Sequence, residues 1–61
     1  MNEYELAAEL YAEYCRAVGG KAFDGSPLPT AKEFFDDHSK KRQSEAWVKA
    51  AKKAIYLITD H

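Results

Sequence analysis

Sixty-one residues make one small domain, and a chain of that size buries only about 60% of the surface it exposes when unfolded. The residues are 46% hydrophobic and 31% charged, with three glycines and two prolines, which excludes a disordered tail and indicates a soluble helical domain. The single cysteine, Cys15, excludes an intrachain disulfide and a cysteine-based zinc site.

The net charge of −1 conceals a gradient along the chain. In residues 1–20, Glu3, Glu5, Glu9 and Glu13 against Arg16 give −3. In residues 40–61, Lys40, Lys41, Arg42, Lys49, Lys52 and Lys53 against Glu45 and Asp60 give +4. An acidic beginning and a basic end steer each other in packing, within one protomer or across a dimer.

The first predicted element is a helix over residues 2–18. At 100° per residue, Tyr4, Ala7, Ala8, Tyr11, Tyr14, Cys15 and Val18 share a face, Leu6, Leu10 and Ala17 form its flank, and Glu5, Glu9, Glu13 and Arg16 lie opposite. The apolar arc spans about 200°, whereas one core contact uses a stripe nearer 100°. A second apolar contact is expected. Gly19-Gly20 then sits where a left-handed C-cap wants glycine.

Residues 20–29 read as a connector, with turn signals at Asp24-Gly25 and Ser26-Pro27. Gly-Gly-Lys at 19–21 is no phosphate loop, because the glycine four residues earlier and the following Ser or Thr are both missing. Phe23 and Leu28 are predicted to pin the connector to the core. In Thr30-Ala-Lys-Glu33 the threonine and glutamate form a capping box, so a second, short helix is predicted over 31–37, with Phe34 and Phe35 on its buried side.

The third helix is predicted over 40–59, with Ser39 as its favoured cap and Asp36 or Asp37 offsetting Lys40, Lys41 and Arg42 near its start, the alternative being a start after Ser44 with Glu45 in the first turn. Trp47, Ala50, Ala51, Ala54, Leu57 and Ile58 face inward, Val48 and Ile55 lie on the shoulder, and Glu45 is placed to pair with Lys49 at i,i+4. The resulting fold is an all-α, three-helix domain spanning 1–61, two long antiparallel helices closed by a short one. Its predicted core is Leu10, Tyr11, Tyr14, Val18, Phe23, Leu28, Phe34, Trp47, Ala51, Ala54, Ile55 and Ile58. Trp47 is the expected site of the costliest truncation.

Chemistry is sparse. Cys15 lies on an apolar face without a lysine or histidine to activate it, His38 has no second histidine near it, and the carboxylates of helix 1 line a solvent side. No catalytic residue, metal site or cofactor is assigned, and a non-enzymatic role is expected. The candidate partner-binding residues are Arg42, Lys49, Lys52, Lys53 and Tyr56 on the last helix.

The segments Tyr11-Ala-Glu-Tyr-Cys-Arg-Ala-Val-Gly-Gly-Lys-Ala-Phe-Asp-Gly-Ser-Pro-Leu-Pro29 and Gln43-Ser-Glu-Ala-Trp-Val-Lys-Ala-Ala-Lys-Lys-Ala-Ile55 together resemble short helical proteins encoded in bacteriophage and prophage genomes. Gly25, Pro27, Leu28, Pro29, Trp47, Ala50 and Ala51 carry the resemblance. It implies a small phage-type protein that binds a host or defence protein, with no particular residue's role carried over.

The expected function is thus partner binding by a protein that forms a homo-oligomer, most simply a dimer. The alternative is nucleic-acid or nucleotide binding through the basic face of the last helix. No apolar run reaches membrane-span length, the first ten residues lack the pattern of a signal peptide, and the cytoplasm, or the host cytoplasm for a phage product, is the expected compartment.

Overall fold

The computed structural model describes residues 2–59. It contains α1 (Glu3–Ala17), α2 (Ala31–Asp36) and α3 (Lys41–Thr59), the last preceded by a 3-10 turn at His38–Lys40. No strand occurs among the described residues. The two long helices run antiparallel, and the Cα envelope measures 40 × 24 × 16 Å. At 16 Å, its shallow direction holds two backbone layers at the usual 8–10 Å interhelical spacing.

Local chemistry accounts for most boundaries. The Asn2 side chain accepts from the Glu5 amide at 2.8 Å and opens α1. At the other end the Gly20 amide donates to the Cys15 carbonyl (2.8 Å) and the Gly19 amide to that of Arg16 (3.2 Å), the paired bonds of a Schellman cap. Gly19 has φ 77°, a left-handed conformation that a Cβ disfavours.

The capping box of α2 forms as the sequence predicts. Glu33 N–H donates to Thr30 Oγ1 at 3.2 Å, and Thr30 N–H donates to Glu33 Oε1 at 3.0 Å. The Thr30 amide above all, and then the Thr30 hydroxyl, which also donates to Glu33 Oε1 (3.0 Å), hold the Glu33 carboxyl below its ordinary value of 4.5. A depressed carboxylate stabilises the fold above its unfolded pKa and loses that contribution as pH falls through its folded value. Thr30→Ala is therefore expected to cost about 1 kcal/mol at neutral pH. It should also partly flatten the loss of stability below about pH 4.5, since the hydroxyl bond to Glu33 goes while the residue-30 amide bond stays, as denaturant titrations at a series of pH values would show.

The start of α3 differs from expectation. Asp37, not Ser39, is the cap: its side chain accepts from the Ser39 amide (2.9 Å) and hydroxyl (2.7 Å), and the 3-10 turn carries the chain into α3. The anionic Asp37, lowered in pKa chiefly by the Ser39 hydroxyl, offsets the bases that crowd this helix N-terminus. Glu45 pairs backwards with Lys41 (3.9 Å) and not forwards with Lys49.

The core centres on Tyr11. Its ring stacks on Phe34 with centroids 4.3 Å apart, and meets Phe35 (5.9 Å) and Trp47 (5.6 Å) edge-on. The Tyr11 hydroxyl donates to the Pro29 carbonyl at 3.0 Å. Burial above all, with the Cys15 thiol beside the hydroxyl, pushes its pKa up to about 12. Ala7 of α1 and Ala51 of α3 are both 0% exposed, so each long helix encloses a small side chain completely.

The buried hydrophobic set is Ala7, Tyr11, Phe34 and Ala51, smaller than the sequence-based core. Leu28, Trp47, Ala54 and Ile55 are half-buried. Leu10, Tyr14, Val18, Phe23 and Ile58, all expected inside, are exposed. Leu10 and Tyr14 lie on the part of the wide α1 arc that no second element covers. Val18 caps a helix end, and Ile58 lies one turn beyond the antiparallel overlap with α1.

Candidate functional site

Three surfaces stand out. The first is the connector, which is a braced hairpin and no loose loop. Lys21 and Pro27 form an antiparallel bridge. The Ala22 amide donates to the Ser26 carbonyl (2.7 Å) and the Gly25 amide to the Ala22 carbonyl (2.9 Å). That is the pattern of a three-residue hairpin loop, with glycine in the left-handed position; Gly25 has φ 88°. Asp24 accepts from both the Ser26 hydroxyl (2.6 Å) and amide (3.0 Å), the hydroxyl chiefly holding its pKa down.

The same geometry expels Phe23. It is the first residue of the three-residue loop, and its side chain is fully solvent-exposed, at 108% of the reference area. The expected role as an anchor onto the core is therefore wrong, and only Leu28 of the predicted pair turns inward. The signal was present in Phe23-Asp24-Gly25 between Ala22 and Ser26, which specifies a tight hairpin whose tip cannot fold back.

The second surface is the outer side of α3. Arg42, Lys49, Lys53 and Tyr56 fall along one stripe at 100° per residue, with Lys52 on its shoulder, and all five are exposed. Lys53 Nζ lies 5.1 Å from the Tyr56 ring centroid, within range for a cation–π contact. Every sequence-predicted candidate thus comes together on one ridge. None of the four bases has a carboxylate partner among the described residues: the ion pairs there, Glu13–Arg16, Lys32–Asp36 and Lys41–Glu45, each lie within a single helix. The expected attraction between acidic α1 and basic α3 is not realised as an ion pair inside the protomer.

Comparison with family models, with curated proteins and with solved structures finds no match to this chain. Its surfaces are therefore read on their own chemistry.

The third surface is the layer formed by α1 and α3. Phe34 and Phe35 of α2 pack against Tyr11 on one face, where Phe35, Tyr4, Ser44 and Val48 also line a groove of about 470 Å³. That groove is rimmed by Asp36, Asp37, Lys41 and Lys49. The opposite face presents Leu10 and Tyr14 of α1 with Ala46, Ala50 and Leu57 of α3, all exposed. A separate cleft of about 420 Å³ lies between Tyr14, Ala46 and Trp47, with Leu28, Pro29 and, from α2, Phe34 also lining it.

The carboxylates with displaced pKa values, Asp24, Glu33 and Asp37, all move downward through cap and turn hydrogen bonds. A general acid at neutral pH needs the reverse shift. No helix among the described residues is long and apolar enough to cross a membrane.

Proposed function

We propose that this chain is a non-enzymatic protein-binding module of phage type whose partner is a host or defence protein, engaged through the hairpin tip. The observation that carries this reading is Phe23. A phenylalanine held fully exposed on a hairpin braced by four hydrogen bonds within the loop contributes nothing to its own core, and the braced backbone lowers the entropy lost on docking. Large aromatics inserted into partner pockets are typical binding hot spots. The downward-shifted carboxylates and the open, shallow grooves support a binding role over catalysis.

The test is capture from a cell lysate. Immobilised parent protein should retain a protein that resists nuclease treatment, and Phe23→Ser should lose it by a factor of about 30 or more, as for a hot-spot residue, while melting like the parent. Equal capture by both chains contradicts the reading.

A second reading rests on the basic ridge. Arg42, Lys49, Lys52 and Lys53 have no carboxylate partners among the described residues, and such a row is chemically suited to a nucleic-acid backbone or a nucleotide. It requires binding that falls steeply with added salt, and a nuclease-sensitive captured partner would favour it.

A further inference from the structure

We infer that the uncovered face of the α1/α3 layer is the docking site for a second copy of this chain, in a twofold arrangement that lays α1 of each copy over α3 of the other. This deepens the interaction-protein reading by assigning one surface and its occupant, and it does not involve Phe23.

Area gives the first argument. A compact monomer of 6.9 kDa exposes about 4,000 Å², whereas this chain exposes 4931 Å². The difference of about 900 Å² is close to the roughly 800 Å² that each partner contributes to a standard stable interface. Among the exposed apolar side chains are Leu10, Tyr14 and Leu57 of the layer's bare face, with the exposed Ala46 and Ala50. Alanines on a helix surface allow a second helix to approach closely.

Charge gives the second argument and selects the orientation. A twofold axis lying in the interface can run along the helices or across them. Run across them, it stacks α1 on α1 and α3 on α3, placing like charges together. Run along them, it places acidic α1 of one copy over basic α3 of the other, every neighbouring pair remaining antiparallel. The edge of α1 carrying Glu5, Glu9 and Glu13 then follows the edge of α3 carrying Arg42, Lys49 and Lys53. These are charges of opposite sign that form no interhelical ion pair within the protomer among the described residues. The product is a four-helix layer pair in which the long helices make the contact.

Sedimentation equilibrium on the parent and three variants tests the proposal, with circular dichroism checking helicity in each. The parent should sediment near twice 6.9 kDa and Ala50→Glu near 6.9 kDa with unchanged helicity. Glu9→Lys should weaken association at least about tenfold by juxtaposing like charges, and Glu9→Lys with Lys49→Glu should recover it. A parent that stays monomeric at high micromolar concentration overturns the proposal. So does a dimer indifferent to Ala50→Glu, or a charge pair that shows no rescue. A monomeric parent that still loses its captured protein on Phe23→Ser would leave the hairpin reading standing while removing this one; a rescued dimer with no Phe23-dependent partner would do the reverse.

Discussion

Tyr11→Ala is expected to unfold the protein at room temperature or leave it barely folded. Truncating a buried aromatic costs about 3–5 kcal/mol, and a domain of 61 residues has about 3–9 kcal/mol in total at typical stability per residue. Tyr11 is 3% exposed and touches Phe34, Phe35, Trp47 and the Pro29 carbonyl, so its removal severs α1 from α2, α3 and the connector together. The sequence singles out Trp47 for this position, but Trp47 is only half-buried, and its truncation should cost less. Tyr11→Phe separates the two contributions of the side chain. It keeps the stacking and loses only the hydroxyl bond, for about 1 kcal/mol. Urea titrations of Tyr11→Ala, Trp47→Ala and Tyr11→Phe should rank them in that order of damage.

Ala51→Leu and its neighbour Ala50→Leu are expected to diverge. Ala51 of α3 is 0% exposed, as is Ala7 of α1, and a close-packed interior leaves little space around an enclosed methyl group. Three extra carbons there force α1 and α3 apart, at a cost of about 1–3 kcal/mol for overpacking. Ala50 is one residue away on the exposed flank, where a leucine meets no neighbour within the protomer. Thermal melts at a concentration low enough that association contributes nothing should show a drop for Ala51→Leu and none for Ala50→Leu. Similar losses in both would mean that the helices are rotated from the phase described above.

What was legible in the sequence follows the range of the interactions. The Thr30/Glu33 box and the Gly19 cap act over three to five residues, and both form where the pattern places them. The ridge of Arg42, Lys49 and Lys53 follows from helical period alone, so it too was readable. Coverage was not. The α1 arc of about 200° announces more apolar surface than one contact uses, but periodicity does not say which part α2 covers, and Leu10 and Tyr14 were placed inside. Phe23 was misplaced because hydrophobicity was weighed above the turn geometry of Asp24-Gly25. The cap at Asp37 was missed because Ser39 offers a competing oxygen two residues away.

The central claim is that the fold is complete without its exposed apolar side chains, which the proposed function assigns to partners. The most direct measurement is the thermal melt of the Leu10→Gln, Phe23→Ser, Leu57→Gln triple variant, at a concentration low enough that association contributes nothing. All three side chains are exposed, so a cooperative transition no more than about 12 °C below the parent is predicted, each surface change being worth at most about 0.5 kcal/mol and each kcal/mol about 4–8 °C. A variant that has lost its cooperative transition would contradict the claim and place those side chains in the core.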